Sequence, residues 1–160
     1  MIDAEQLKKN IIRDMRVELS EEFDKNFERK AFFTKKWKKR ADPNAKGSLL
    51  VVTGTLRRSI KAEERPNGVR FSSAVPYAQI HNEGGKGTKS VRAHTRRSKN
   101  GKTYTVKAHM RKFTMPQRQF VGDGKRTQEI IKGVINDNLA DFNMQLSKFI
   151  KNLKSATYRV

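Results

Sequence analysis

An α+β fold is predicted for this chain by three features of its sequence. Two long segments, residues 4–30 and 126–153, carry apolar side chains at helical spacing. Between them lie two segments in which apolar and polar residues alternate on either side of an Asn-Gly pair, a pattern typical of β-hairpins. We therefore predict an antiparallel β-sheet, built from the hairpin at 59–73 and flanking strands and packed by two long helices, N- and C-terminal, with a protruding basic β-hairpin.

The first helix is predicted over residues 4–30. Asp3 can cap its N-terminus, with Gln6 three residues further on. We interpret its apolar stripe as core packing, and a seam for a partner helix is the alternative. The residues of the stripe recur every four positions and are Leu7, Ile11, Met15, Leu19, Phe23 and Phe27.

Aromatic and basic residues are interleaved in residues 31–48, where Phe32, Phe33 and Trp37 stand among lysines. Such interleaving can bind single-stranded nucleic acid, because bases stack on aromatic rings and cations contact phosphates. The spacing of Phe33 and Trp37 also fits one helical face. We interpret Trp37 as an anchor that holds this segment on the core.

A β-rich core is predicted over residues 49–85. The segments 59–64 and 69–73 alternate apolar and polar residues and form a hairpin. The pair Asn67-Gly68 is expected to supply the positive φ angles of its turn.

Two short turns flank this hairpin. Thr53 is a candidate N-cap for a turn that carries Leu56. After the hairpin, Pro76 favours an extended conformation in the residue before it. Residues 77–81 then fit one helical turn, which the Gly-Gly pair at 84–85 can end.

A second, longer hairpin is predicted as a basic arm over residues 86–114. Its turn contains Asn100-Gly101, and its two strands, 91–97 and 106–112, are near-copies of each other. An isolated two-stranded ribbon is marginally stable in water. The arm is therefore expected to lie against the body of the protein, a neighbouring subunit or nucleic acid.

The C-terminal helix is predicted over residues 126–153, with Asp123 or Thr127 as its cap. Its apolar face is wider than a coiled-coil seam. The residues of that face are Ile130, Ile131, Val134, Ile135, Phe142, Leu146, Phe149, Ile150 and Leu153.

The positive charge of the chain is concentrated in one segment. The 160 residues carry a net charge of +20, and residues 86–112 contain 10 basic residues and no acidic one. Such a field attracts polyanions, of which DNA is the obvious one. The alternative is a solvated arm that pairs with acidic neighbours in an assembly. The length favours a single domain over residues 1–160.

No enzyme site, metal site or cofactor is predicted. His81, His94 and His109 are the only histidines and there is no cysteine, so the ligand sets of common metal sites are missing. Ser59 with His81 lacks the motif that surrounds a nucleophilic serine. The glycines at 84–87 lack the spacing of a phosphate-binding loop. No apolar run approaches the ~18 residues of a membrane span.

Three short motifs in order resemble the phage virion morphogenesis family, the tail-completion and neck proteins of tailed bacteriophages. They are Thr-Gly-x-Leu-x-x-Ser-Ile at 53–60, Pro-Tyr-Ala-x-Ile-His-x-x-Gly at 76–84 and Pro-x-Arg-x-Phe-x-Gly at 116–122. The resemblance covers roughly residues 32–150. It departs from the usual pattern in the long basic stretch between residues 85 and 115.

This resemblance implies a structural virion protein rather than an enzyme. It implies a homo-oligomeric ring, most often of six subunits, that completes the tail at its end or neck, joins it to the head and passes DNA through its channel. The expected partners are other neck and tail proteins, namely a connector or adaptor and a tail terminator or tail tube. The expected location is the virion, reached by assembly in the cytoplasm of the bacterial host.

Two sets of residues follow as candidates for function. The motif residues, which we expect to be structural, are Trp37, Thr53, Gly54, Leu56, Ser59, Pro76, Tyr77, His81, Gly84, Pro116, Arg118 and Phe120. Of these, we expect Trp37, Leu56, Tyr77 and Phe120 to be buried in the core. The residues of the arm expected to meet a neighbouring subunit or DNA are Arg92, Arg96, Arg97, Lys99, Lys102, Lys107, Arg111 and Lys112. The alternative function is that of a stand-alone nucleic-acid-binding protein that uses the hairpin at 86–112.

Overall fold

The α+β prediction is confirmed by a computed structural model, which describes residues 3–40, 42, 44 and 46–157, the last four as backbone only. Within these residues the helices are α1 (Ala4–Arg29), α2 (Thr55–Arg58), α3 (Ala78–Glu83) and α4 (Lys125–Thr157). The strands are β1 (Ala31–Phe32), β2 (Lys35–Lys36), β3 (Ile60–Arg65), β4 (Gly68–Ser73), β5 (Gly85–Val91), β6 (His94–Arg97), β7 (Thr103–Val106) and β8 (His109–Met115).

All strand pairing among the described residues is antiparallel. The described strands form four two-stranded sheets, β1–β2, β3–β4, β5–β8 and β6–β7. No described flanking strand joins β3 and β4, so the predicted wider sheet is reduced to this one hairpin. Its turn residues are Pro66 and Asn67, since Arg65 pairs with Gly68, and only Gly68 has a positive φ angle, of 155°. The expectation that Asn67 adopts a positive φ is therefore wrong. Proline at the first central position of a turn favours the common turn types over their mirror images, which need positive φ angles.

Helix α1 begins and ends as local chemistry requires. The Asp3 carboxylate accepts a hydrogen bond from the Gln6 backbone amide at 2.8 Å, which confirms the cap. The helix ends where Lys30 adopts a left-handed conformation. Its buried apolar residues include Ile12, whereas Ile11 is only half-buried. A stripe with a spacing of four drifts around a helix of 3.6 residues per turn, so the buried face shifts by one residue near the N-terminus.

The cap of α4 differs from both candidates. The Gly124 carbonyl accepts the first helical hydrogen bond, from Gln128, so Gly124 holds the cap position. Asp123 precedes it and accepts from the Gly124 amide at 2.8 Å. Thr127 lies inside the first turn, buried, and donates to the Gly122 carbonyl at 3.0 Å. Thr127 therefore ties the helix to the loop before it rather than capping it.

The core consists of two adjoining clusters built on α1. Phe27 packs with Trp37, Leu56, Ala78 and Phe120. The second cluster packs around Phe23, whose ring meets the Phe71 ring edge-on at 4.9 Å, and its other buried members are Leu19, Phe32 and Ile130. Helix α1 is thus the element that the β3–β4 hairpin and α4 both contact.

A segment without regular structure, residues 118–122, passes through this core, with Arg118 and Phe120 buried and the other three residues half-buried. Asn26 is 0% exposed, donates to the Phe120 carbonyl at 3.1 Å and accepts from the Phe33 amide at 2.9 Å. The Asn82 side-chain oxygen accepts from the backbone amides of Phe120 and Val121. Side chains therefore satisfy backbone groups that a strand would have paired.

Replacing Asn26 with Ala is expected to lower the free energy of unfolding by about 2–4 kcal/mol, because it leaves the Phe120 carbonyl and the Phe33 amide buried without partners. Urea denaturation measures the change. The control is Asn143→Ala, at an exposed position of α4, which is expected to stay within about 0.5 kcal/mol of the parent. Equal stability of the two variants would contradict a structural role for the Asn26 amide.

Candidate functional site

The three sequence motifs meet in one region of the structure. Leu56 of the first, Ala78 of the second and Phe120 of the third are buried in the same cluster, which also contains Trp37. Phe27 of α1 belongs to this cluster too, so the three motifs meet where they pack with α1. Ser59 lies beside them, where its hydroxyl contacts the Ser73 hydroxyl at 2.7 Å.

Other residues of the motifs line a cavity of about 230 Å3, which we name the motif cavity. The motif residues in its lining are Thr53, Tyr77, His81 and Arg118. Arg40, from the segment after Trp37, also lines it. Its remaining lining is largely apolar and consists of Leu49, Leu50, Val52, Thr55 and Leu56.

Arg118 brings a positive charge into the wall of the motif cavity. The residue is only 6% exposed, and its Nε donates to the Lys38 carbonyl at 3.0 Å. Its other polar contacts are a longer one to the Lys39 carbonyl and one to the Met115 sulfur. Burial, and then the positive charge of Arg40, lower the pKa of Arg118 from its usual value.

His81 faces the same charge. Its Nδ1 is the one buried side-chain polar atom among the described residues that has no hydrogen-bond partner. Burial, followed by the charge of Arg118, lowers the pKa of His81. The imidazole is therefore biased toward its neutral form in the isolated chain.

Two motif residues do not lie where we expected. Tyr77 was predicted to be buried with Trp37, Leu56 and Phe120, but it is 44% exposed. It immediately precedes α3, and its ring lies at the rim of the motif cavity, where it meets His81 edge-on at 5.9 Å. Thr53 does not cap α2 either, because Gly54 holds that position with a φ angle of 70°.

The remaining motif residues shape the backbone. Gly84 ends α3 with a φ angle of 75°, and a Cβ atom there would lie 2.8 Å from the Gln117 backbone nitrogen. That close approach joins the end of the second motif to the start of the third. Pro76 is exposed before α3, and Pro116 is half-buried after β8.

The basic arm is a ribbon of four strands, β5 to β8, which we name the basic ribbon. Strand β5 pairs with β8 from Gly85–Met115 to Val91–His109, and β6 pairs with β7 from His94–Val106 to Arg97–Thr103. The turn closes with the Ser98 amide donating to the Lys102 carbonyl at 2.8 Å, and Gly101 has a φ angle of 80°. The predicted position of the tip is therefore confirmed.

The near-repeat in the sequence of the two halves of the basic ribbon produces the same local structure twice. The β-ladder is interrupted at residues 92–93 in the first half and at residues 107–108 in the second. After each break a histidine Nδ1 contacts the carbonyl two residues back, His94 with Arg92 and His109 with Lys107, both at 2.9 Å. Among the described residues no group of three or more potential metal ligands occurs.

The cations of the basic ribbon are exposed on both of its faces. Lys89 and Arg111 lie directly opposite each other, a like-charge pair that destabilises the ribbon. None of the eight ion pairs among the described residues involves the ribbon. The predicted candidates are all exposed there: Arg92, Arg96, Arg97, Lys99, Lys102, Lys107, Arg111 and Lys112.

Sequence reasoning missed Asn26, Asn82 and Arg40. The two asparagines lie on helices, where an amide side chain is ordinarily solvent-exposed. One local signal existed for Asn26, which is flanked by Phe23 and Phe27 on the apolar stripe. Arg40 gave none, because its partners, the carbonyls of residues 46–48, lie in a loop.

Comparison with known proteins adds one match. A model of the phage virion morphogenesis family matches residues 3–140. No curated protein and no solved structure matches this chain. No helix among the described residues combines the length and the apolar character needed to cross a membrane.

His81 is expected to make the stability of the protein depend on pH. Because its folded-state pKa is lowered, the unfolded chain binds the proton first as the pH falls through ~6.5. The free energy of unfolding therefore decreases below that pH, and the decrease levels off below the folded-state pKa. Melting temperatures between about pH 8 and about pH 5 measure it.

The matched variants for this measurement are His81→Gln and His94→Gln. Only the first is expected to flatten the pH dependence, since His94 is exposed on the basic ribbon. If both variants follow the parent curve, the burial of His81 has no consequence for stability.

Proposed function

The chain belongs to the phage virion morphogenesis family, and from this premise we propose that it forms a ring at the tail end or neck of a tailed phage. Membership makes it a phage virion-associated protein of a structural family. In the proposed role one domain per subunit completes the tail and joins it to the head. The mechanism is binding and geometry, without catalysis.

The observation that carries this proposal is the basic ribbon. It exposes ten cations in residues 86–112 and none of them has an ion-pair partner among the described residues. A like-charge array of this density repels itself, and an anionic surface relieves the repulsion. The ribbon therefore fits a neighbouring subunit with an acidic surface or the DNA that passes through a neck.

A second surface supports association between subunits. The C-terminal half of α4 exposes an apolar face beyond Asn138, whose amide donates to Asp14 of α1 at 3.0 Å. The apolar residues there follow alternating steps of four and three, the repeat of a helix–helix seam. The repeat, which we name the α4 seam, begins one turn earlier at the half-buried Ile135 and continues through Leu139, Phe142, Leu146, Phe149 and Leu153.

The flanks of the α4 seam favour a second copy of this chain as its occupant. The positions beside it carry amides or an isoleucine, and Asp141, Lys148 and Lys151 lie on the opposite face. Residues 138–153 therefore have a net charge of +1 in a chain of +20. Copies of so basic a protein approach one another most easily where charge is absent.

Head-to-tail contacts between copies close a ring when the rotation closes. We propose six subunits from the family resemblance. We further propose contacts with a connector or adaptor on one side and a tail terminator or tail tube on the other, formed in the host cytoplasm and retained in the virion.

A stand-alone nucleic-acid-binding protein is the second candidate function. The observation that favours it is Tyr104, which is 49% exposed on β7 and lies directly opposite Arg96 on β6. An exposed ring beside a cation is suited to stacking on a base.

Reversing the charge at the tip of the basic ribbon, with Arg96→Glu, Arg97→Glu and Lys99→Glu together, is expected to leave stability within about 0.5 kcal/mol while abolishing ring assembly or DNA retention. Particle assembly and infectivity are measured in complementation of a phage that lacks the protein. The control carries the same charge change at exposed positions elsewhere, Lys61→Glu, Arg70→Glu and Lys132→Glu.

The salt dependence of binding separates the two candidate functions. A monomer that binds duplex DNA tightly, with an affinity that falls with log salt at a slope of about −0.9 per phosphate neutralised, favours the stand-alone protein, whereas a ring with weak affinity for DNA favours the virion role. Infectious, DNA-filled particles from the ribbon variant would mean that the ribbon has no role in assembly.

The α4 seam is tested by cysteine cross-linking, since the chain has no cysteine of its own. Leu146→Cys places a thiol in the middle of the seam, at a residue 37% exposed. When the α4 helices of neighbouring copies run side by side in parallel, the same seam position of each copy meets, so mild oxidation is expected to form a disulfide between two copies. Non-reducing electrophoresis measures the yield.

The control is Met144→Cys, on the opposite face of the same helix at a residue 53% exposed. A thiol there is more exposed but lies off the seam, so collisional cross-linking would favour it. Equal or lower yield from Leu146→Cys would remove the seam from the proposal. A cross-link to a different virion protein would mean that this protein, rather than a second copy of the chain, packs on the α4 seam.

A further inference from the structure

We propose that the motif cavity binds the carboxylate of an Asp or Glu side chain carried on a loop or terminus of another virion protein. This proposal extends the proposed function. It depends on that function in one respect, namely that the binding partner is another virion protein. The motif cavity is lined by all three sequence motifs and by Arg40.

The first argument is the charge of Arg118. Its side chain is nearly fully buried, and its described contacts are two backbone carbonyls and a sulfur, all of them neutral. A buried cation is costly unless an anion compensates it. The two cations that line the cavity, Arg40 and Arg118, repel each other, and a carboxylate bound there attracts both. Guanidinium groups suit that ligand because their planar fork matches its geometry.

The second argument is the nitrogen of His81. Its Nδ1 is buried and has no partner in the described structure, which is rare for a polar atom. Protonated imidazole donates from both nitrogens, so a carboxylate in the cavity would give the ring a counter-charge. A neutral occupant would leave the ring in the neutral form that burial and the charge of Arg118 favour.

The rim of the motif cavity indicates a protein as the source of the carboxylate. Val52 and Tyr77 are exposed at this rim, and Leu50 beside them has a φ angle of 60°. A left-handed leucine is strained, and such strain concentrates at binding sites. A DNA phosphate would place charged backbone against these apolar side chains, whereas a peptide segment covers them with its own.

The acidic residues of this chain are poorly placed to supply the group from a second copy. Most of them are engaged in ion pairs or turns. Of the other described acids, Glu83 at the end of α3 accepts a hydrogen bond from the Gln79 side chain. The rest lie along the two long helices: Glu5, Glu18, Glu21, Asp137 and Asp141. A side chain on a straight helix is flanked by neighbours that keep it out of a concave site. A loop or chain end of a different protein has no such obstruction.

The ligand chemistry is tested with acetate on the intact protein, at constant ionic strength with chloride as the balancing anion. Imidazole NMR resonances report His81, His94 and His109 separately. Acetate is expected to shift the His81 resonance saturably and to raise the pKa of His81, since the anion stabilises the protonated ring. The other two histidines lie on the basic ribbon and report anion binding in general. Equal shifts at all three would overturn the proposal.

The source of the carboxylate is tested by photo-cross-linking during phage assembly. A photoreactive phenylalanine replaces Tyr77 at the rim of the cavity or, as the matched exposed tyrosine, Tyr104 on the ribbon. Mass spectrometry is expected to find Tyr77 joined to a peptide of another virion protein that contains an acidic residue. A product with a second copy of this chain, or with DNA, would overturn the assignment.

A double-mutant cycle then joins the two groups. Arg40→Gln and neutralisation of the identified acid are each expected to weaken binding about 10-fold or more, and together hardly more than either alone. Arg65→Gln, an exposed arginine paired with Glu63, is the control. Additive losses would show that the acid binds elsewhere. If the two losses are additive while the particles still contain rings, only this inference is wrong. If no variant or deletion of the chain changes the assembly of tails, the proposed function is wrong.

Discussion

The structure depends on the satisfaction of backbone groups in the segment 118–122. A segment without strand partners cannot enter a core unless other groups accept and donate its hydrogen bonds. Asn26, Asn82 and the Trp37 indole supply them, the last through Nε1 to the Gln119 carbonyl at 2.6 Å. The segment in turn places Phe120 against Phe27, with ring centroids 5.1 Å apart. Helix α1 and the three motifs are therefore joined by one polar network around one aromatic cluster.

The same network builds the motif cavity. The Arg118 amide donates to the His81 carbonyl at 2.8 Å, and its side chain holds the carbonyls of residues 38 and 39. Arg118 is thereby fixed between the second motif and the segment after Trp37. The fold and the candidate site therefore share supporting residues. Arg118 holds the fold together and also places a positive charge in the wall of the motif cavity. A carboxylate at that place would balance the charge of Arg118, since no described acid lines the motif cavity.

Periodicity and the Asn-Gly pairs in the sequence predicted the two long helices, the hairpins that contain β3–β4 and β6–β7, and the position of the ribbon tip, because each depends on residues close together in the chain. The short pair β1–β2 was not predicted. It could not predict what Asn26 does, since the Phe120 carbonyl lies 94 residues away. Tyr77 was misplaced for the same reason: the motif gave the turn but not which side of it faces the core. Thr53 and Gly54 both suit a helix start, and the choice between them depended on a left-handed backbone that the sequence does not encode locally.

Charged residues are arranged differently in the body of the protein and at the surfaces proposed for assembly. In the body, Arg57 of α2 donates to Asp24 and Glu28 of α1, and its hydrogen bond is the main reason that the pKa of Asp24 is lowered. On the basic ribbon no acid is present. The α4 seam has almost no charge, and the motif cavity has positive charge without a described acid. Three surfaces with different chemistry suit different partners, and a protein that joins several components needs that difference, because specificity requires each partner to be rejected by the wrong surface.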